Sequence, residues 1–179
     1  MKHSLKVAVF LVVLAAWMGF SIPSAHALQV FKGRALEISH PEGWTTEEFP
    51  DQINVYRNGR NSEWVQIDVM APEAFQTQST VDIRATDALE QILAANAKHA
   101  PGFKLVESQK IDTDTRHGYS YIFTFEAHQG GKTIRGKQAV LDFIEGGKVY
   151  TMQFVASPDI FDAQWNGVKV IFDSVDVVE

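Results

Sequence analysis

The chain has no cysteine among its 179 residues. That absence excludes a disulfide framework, a thiolate metal site and a cysteine nucleophile. It also excludes a lipoprotein, because a diacylglycerol anchor needs a cysteine directly after the export signal. No Asn-x-Ser/Thr triplet offers an N-glycosylation acceptor. Neither a repeat, a low-complexity tract nor a Pro/Gly/Ser-rich linker divides the chain, so one domain is expected from Leu28 to Glu179. Basic residues are in deficit. Without Lys2 and Lys6 the 16 lysines and arginines fall to 14 against 22 acidic residues, a formal charge of −8. Such a surface favours solubility and disfavours nucleic-acid binding.

What is present begins with an export signal over residues 1–27. Lys2 and Lys6 supply a positive start, Val7 to Ala16 an uncharged apolar run, and Pro23 a break. Ala25-His26-Ala27 places small residues where a signal peptidase reads them. The apolar stretch from Val7 to Ile22 is 16 residues, short of the roughly 20 a spanning helix needs. Cleavage after Ala27 and a periplasmic or secreted location are expected, with no transmembrane anchor left after processing.

Two-residue alternation dominates the second half. Tyr119, Tyr121, Phe123 and Phe125 share one face of a strand starting at His117, with Ser120, Ile122, Thr124 and Glu126 on the other. Gly130-Gly131 and Gly146-Gly147 separate this run from strands over Lys132–Ile144 and Lys148–Ala156, which predicts an antiparallel meander. Shorter strands precede it at Leu36–Ser39, Ile53–Arg57 and Trp64–Met70, the last two joined by Asn58-Gly59-Arg60-Asn61. One helix is predicted from a cap at Ser79 or Thr80 to His99, with Val81, Ala85, Ala88, Leu89, Ile92 and Ala95 as its apolar stripe. A second opens at Ser157-Pro158 and repeats Phe161, Trp165, Val168 and Phe172. The order is α+β with a largely antiparallel sheet and two main helices, each needing the sheet to cover one face.

The segment Leu36-Glu37-Ile38-Ser39-His40-Pro41-Glu42-Gly43-Trp44 resembles the strand and Pro-x-Gly-Trp entry of PsbP-like and Mog1-like domains. The helix after the second hairpin, the meander ending in Lys148-Val149-Tyr150-Thr151-Met152, and the closing Phe172-Asp173-Ser174-Val175 are similar to the same plan. The resemblance implies an α/β/α sandwich and a non-catalytic role. Its members include photosystem accessory proteins, a nuclear transport factor and DcrB-like bacterial envelope proteins. The DcrB-like group is closest in setting, although many of its members are lipoproteins.

Chemical motifs fail on inspection. Gly131-Lys132-Thr133-Ile134-Arg135-Gly136-Lys137-Gln138 satisfies a phosphate loop up to the lysine, but Gln138 replaces the magnesium-binding hydroxyl and the stretch continues as a strand. Asp112-Thr113-Asp114 starts like a calcium loop, yet Arg116 occupies the third ligand position. His40, His99, His117 and His128 form no zinc-type pair, and His117 and His128 stand ~36 Å apart along one strand. No nucleophile elbow or paired carboxylates with positional logic are present. No cofactor, metal or catalytic residue is therefore expected.

The expected function is a non-catalytic accessory protein that binds a protein partner or membrane complex of the bacterial envelope, through loops such as Asn58–Asn61. The alternative is a carrier or sensor of a small apolar or lipid-like ligand, in a pocket edged by Trp44 and the aromatic strand. A photosynthetic accessory subunit is a third reading. Candidate contact residues are Trp44, Trp64, Tyr119 and Tyr121, with Arg135 and Lys137 as cations for an acidic partner or lipid head group. Otherwise these aromatics are core and these cations a solvated strand face. The export reading has a direct check: intact mass of the protein from its own host should correspond to Leu28–Glu179, and a chain retaining Met1 to Ala27 would refute it.

Overall fold

The computed structural model describes residues 27–57, 64–70 and 82–178. The expected leader up to His26, the Asn58–Asn61 turn, the Ser79 or Thr80 cap and Val81 lie outside these residues. The strands are β1 (Leu28–Lys32), β2 (Leu36–Pro41), β3 (Trp44–Glu48), β4 (Gln52–Arg57) and β5 (Trp64–Met70). Helix α1 (Ala88–His99) follows, then β6 (Lys104–Asp112), β7 (His117–Gln129), β8 (Lys132–Glu145) and β9 (Lys148–Ala156). Helix α2 (Pro158–Ser174) and β10 (Asp176–Val177) close the chain. A seven-stranded antiparallel sheet runs β3-β4-β5-β9-β8-β7-β6, and a small sheet runs β1-β2-β10.

The long meander is set by its two diglycine turns. Gly130, Gly131, Gly146 and Gly147 all have positive φ, from 56° to 75°. Tight hairpins whose twist matches the strands need that geometry at both central positions. The register follows: Tyr121 faces Val140, and Leu141 faces Met152. Both sheet faces are buried, against different partners. On one, Ile67, Leu141, Met152 and Phe154 pack with Phe161, Val168, Ile171 and Phe172 of α2 and with Leu36 and Ile38 of the small sheet. On the other, Tyr119, Tyr121, Phe123 and Val140 pack with Ile83, Ala88 and Ile92. Helices on both faces of a central sheet make the α/β/α sandwich expected from the sequence.

Helix α1 departs from expectation. Within the described residues it starts at Ala88, and residues 83–87 form turns instead. Asp82 accounts for this, because its Oδ1 accepts the Arg84 backbone N–H at 3.0 Å and its carbonyl accepts that of Ala85 at 2.9 Å. An aspartate side chain that bonds its own backbone two residues on competes with helix. Ile83 from this turn is buried beside Ala88 and Ile92. Helix α2 matches expectation, with Ser157 at the N-cap and proline at its first turn.

Two polar contacts close the small sheet and the far end of the meander. The Ser174 hydroxyl accepts the Ser39 N–H at 2.9 Å and lies 3.0 Å from the Ser39 carbonyl, beyond the point where β10 stops pairing with β2. Arg116 pairs with Glu145 at 2.7 Å, donates to the Val175 carbonyl at 3.2 Å and stacks 4.4 Å over the Phe143 ring. The aspartate-rich stretch before it is a turn in which Thr113 N–H donates to the Arg116 carbonyl at 2.9 Å.

Gly118 marks the tightest approach in the sheet. A Cβ there would sit 2.0 Å from the Asp142 carbonyl oxygen and 2.6 Å from Phe143 Cα. Backbone cannot yield as a side-chain tip can, so Gly118→Ala should destabilise the fold by about 3 kcal/mol. Chemical denaturation checks this; a loss below about 0.5 kcal/mol would mean that β7 and β8 do not approach as described.

Candidate functional site

Strand alternation sends every second side chain of β5, β8 and β9 towards α1. On the β7 half of that face these residues are aromatic. On the β5–β9 half they are polar. Cross-strand register places Asp68, Thr151, Asp142 and Tyr119 in one row, and Asn54, Gln66, Gln153, Val140 and Tyr121 in the next. Helix α1 covers the aromatic half and leaves a cleft of about 350 Å³ over the polar one. Its floor includes Asp68, Gln138, Asp142, Thr151 and Gln153, and α1 contributes Ile92, Ala95, Asn96 and His99.

Asp142 is the chemical centre. It is 3% exposed although it carries a carboxylate. Tyr121 donates its hydroxyl to Asp142 Oδ2 at 3.0 Å, and the Thr151 hydroxyl bonds the same carboxylate. Asn96 in turn donates to Tyr121 Oη at 3.4 Å and to the Ile92 carbonyl at 3.1 Å, which ties the network to α1. Burial pushes the Asp142 carboxyl up to about 6, against the lowering effect of its Thr151 and Tyr121 bonds. Burial and the Asp142 charge push the Tyr121 phenol up as well. Asp68 is raised by partial burial, although Gln66 Nε2 donates to both its oxygens at 2.9 Å.

No described lysine, arginine or histidine forms an ion pair with Asp68 or Asp142. Buried carboxylates are ordinarily paired with a cation, because neutral hydrogen bonds recover only part of the lost hydration. Ala71 to Val81, which follow Met70 in the chain, contain no lysine or arginine either. Among the described residues, then, the cleft presents two carboxylates without a cationic partner.

The residues singled out from sequence fall on two faces. Trp64, Tyr119 and Tyr121 share the α1 face with the cleft, but only Tyr121 lines it. Tyr119 is core, 5% exposed. Trp64 is 40% exposed and stacks on Tyr56 with ring centres 6.3 Å apart, at the outer end of the polar half. Trp44 is buried on the α2 face beside the small sheet, so a pocket edged jointly by Trp44 and the aromatic strand does not form. Alternation puts the two on opposite sides. Lys137 pairs with Asp162 at 2.6 Å and lies 4.7 Å from the Phe161 ring centre, while Arg135 stands 3.7 Å from Glu126. Those cations already have intramolecular partners. Asp142, Asp68 and Asn96 were missed by sequence reasoning. The available signal was an aspartate inside the apolar run Ala139-Val140-Leu141-Asp142-Phe143-Ile144.

No family model matches the chain, and no curated protein matches it. Solved structures do. Cyanobacterial PsbP (CyanoP) from Synechocystis aligns at TM-score 0.50 and 14% identity, covering 88% of this chain and 96% of that one. LpqN, described as involved in cell envelope biogenesis of Mycobacterium tuberculosis, aligns at TM-score 0.48 and 12% identity over 87% of this chain and 92% of its own. The fold is PsbP-like, as the strand and Pro-x-Gly-Trp segment implied.

The raised carboxyl has a sign that can be checked. A pKa raised on folding means that the native state holds the proton more tightly, so its contribution to stability falls as pH rises from about 4 to about 6. Relative to Asp142→Asn, the wild-type protein should lose about 2–3 kcal/mol between pH 4 and pH 7. Asp68, His99 and Tyr121 are the other titratable groups lining the same cleft, and they are unchanged in that comparison. Denaturant melts of both proteins across this range measure it; parallel pH profiles would show that Asp142 is not buried as an uncompensated acid.

Proposed function

We propose that the protein is exported and works by binding rather than catalysis, holding a small polar ligand in the cleft between α1 and the β5–β9–β8 part of the sheet. The observation that carries this reading is Asp142, buried in the cleft floor with hydrogen-bond donors around it and no cationic partner among the described residues. Retaining an ionisable group at such a site costs stability, and such costs concentrate where binding occurs. The reading differs from the apolar or lipid-like carrier suggested by the aromatic strand. Those rings are consumed by packing against α1, and the space left is floored by carboxylates, carboxamides and a hydroxyl.

A second reading, an accessory protein docking a partner in the bacterial envelope, is favoured by one feature. Trp64 and Val155 are 40% and 45% exposed at the outer end of the same sheet face. Export in both readings rests on the basic start, the apolar run and Ala25-His26-Ala27.

Native mass spectrometry of protein purified from its own host separates the two. The cleft reading expects a reproducible adduct, lost on denaturation and absent from Ala95→Trp, whose indole would fill the cleft while thermal melting stays cooperative. An adduct that survives Ala95→Trp, or a bare chain in the wild type, contradicts it. A crosslinked partner lost in Trp64→Ala would then support docking.

A further inference from the structure

From the charge of the cleft we infer the chemical class of its ligand: an aliphatic ammonium compound, best a short chain with two ammonium groups, held between Asp68 and Asp142. The inference rests on the cleft being a binding site. Four observations carry it.

The first is charge. Two carboxylates line the cleft, His99 is the one described group there that can become cationic, and neither carboxylate has a described cationic partner. An anionic ligand would meet repulsion there, and a neutral one would leave Asp142 uncompensated. The second is orientation. Asp142 is fixed from both sides, by Tyr121 through Asn96 and by Thr151, so its position does not depend on a ligand's arrival. A preorganised acceptor loses less entropy on binding than a mobile surface side chain.

The third is spacing. Asp68 and Asp142 both face Thr151, from the strands on either side of β9. Their backbones are therefore two strand spacings apart, ~10 Å, and the side chains rise from one face of the sheet. A four-carbon diammonium chain fits between carboxylates so placed. The fourth is the remaining lining. Met70, Ile92, Ala95 and Val140 offer apolar contact for methylene groups. The carbonyl oxygens of Gln138 and Gln153 can accept further ammonium hydrogens. Arginine-like planar cations would seek a bidentate carboxylate, but both Asp142 bonds to Tyr121 and Thr151 occupy part of that edge.

Below the Asp142 midpoint the carboxyl is neutral, and affinity for a cation should decline.

Isothermal titration calorimetry with 1,4-diaminobutane, 1,4-butanediol and calcium chloride, on protein from its host after extensive dialysis, tests the inference. The expected result is binding of the diamine at pH 7.5, none of the diol, and a weakening of roughly ten- to a hundredfold in Asp142→Asn and in Asp68→Asn. Near-ultraviolet circular dichroism confirms that both variants keep the native packing. Failure of the diamine to bind, equal binding of the diol, or variants that bind unchanged would overturn it. Calcium binding in place of the diamine would overturn the ammonium assignment and make the carboxylates a metal site. A neutral or anionic native adduct that Ala95→Trp removes would refute the ammonium class while leaving the cleft as the binding site.

Discussion

Burial of the β7–β8–β9 meander on both faces is the constraint on which the other features depend. A strand with one solvated face needs one set of apolar residues. Each of these needs two, and the sets must fit different helices. In β8, Ala139, Leu141 and Phe143 join the α2 side, while Val140 and Ile144 join the α1 side. The diglycine turns fix the register that keeps these sets apart. A slip by one residue would exchange them and bury Lys137 and Gln138 against the wrong neighbours.

The same constraint creates the cleft. Alpha-helix α1 is 12 residues long, about 18 Å, and cannot cover the α1 face of seven strands. Its apolar side is spent on Tyr119, Tyr121 and Phe123. The neighbouring strip of sheet is therefore polar, and within it Asp142 sits at the boundary, buried by the aromatic half and open to the cleft by the polar half. Tyr121 joins the two halves, with its ring in the packed cluster and its hydroxyl on the carboxylate. Such a boundary gives a charged group low local polarity and access to a ligand at once.

Much of the fold was legible because its signals are local. Alternation from Tyr119 to Phe125, the two Gly-Gly turns, Ser157-Pro158 and the Phe161–Phe172 stripe each specify their element without reference to distant chain. The α2 stripe and the meander were read correctly for this reason. The start of α1 was not, since the Asp82 side-chain bond to Arg84 N–H competes with helix at a position where the apolar spacing still looks helical. Strands β1, β3 and β10 are short, and β1 and β10 are defined by pairing to β2 rather than by their own pattern. The site was less legible than the fold. Alternation within Trp64–Met70 is local, but which strands meet Asp68, and so whether Asp68 and Asp142 share a row, depends on β9 lying between β5 and β8. Residue type alone groups Trp44 with Tyr121, and the sheet separates them.

Asp142 is a buried carboxylate with no cationic partner among the described residues, and the proposed ligand is what would supply one. Carbon NMR titration of the selectively labelled Asp142 carboxyl, with and without 1,4-diaminobutane, reads both its burial and its pairing. The carboxyl should titrate at about 6 in the free protein and move down by about one pH unit or more when the diamine is present. A midpoint at about 4 in the free protein, unmoved by the diamine, would mean that Asp142 is neither desolvated nor a partner for the cation.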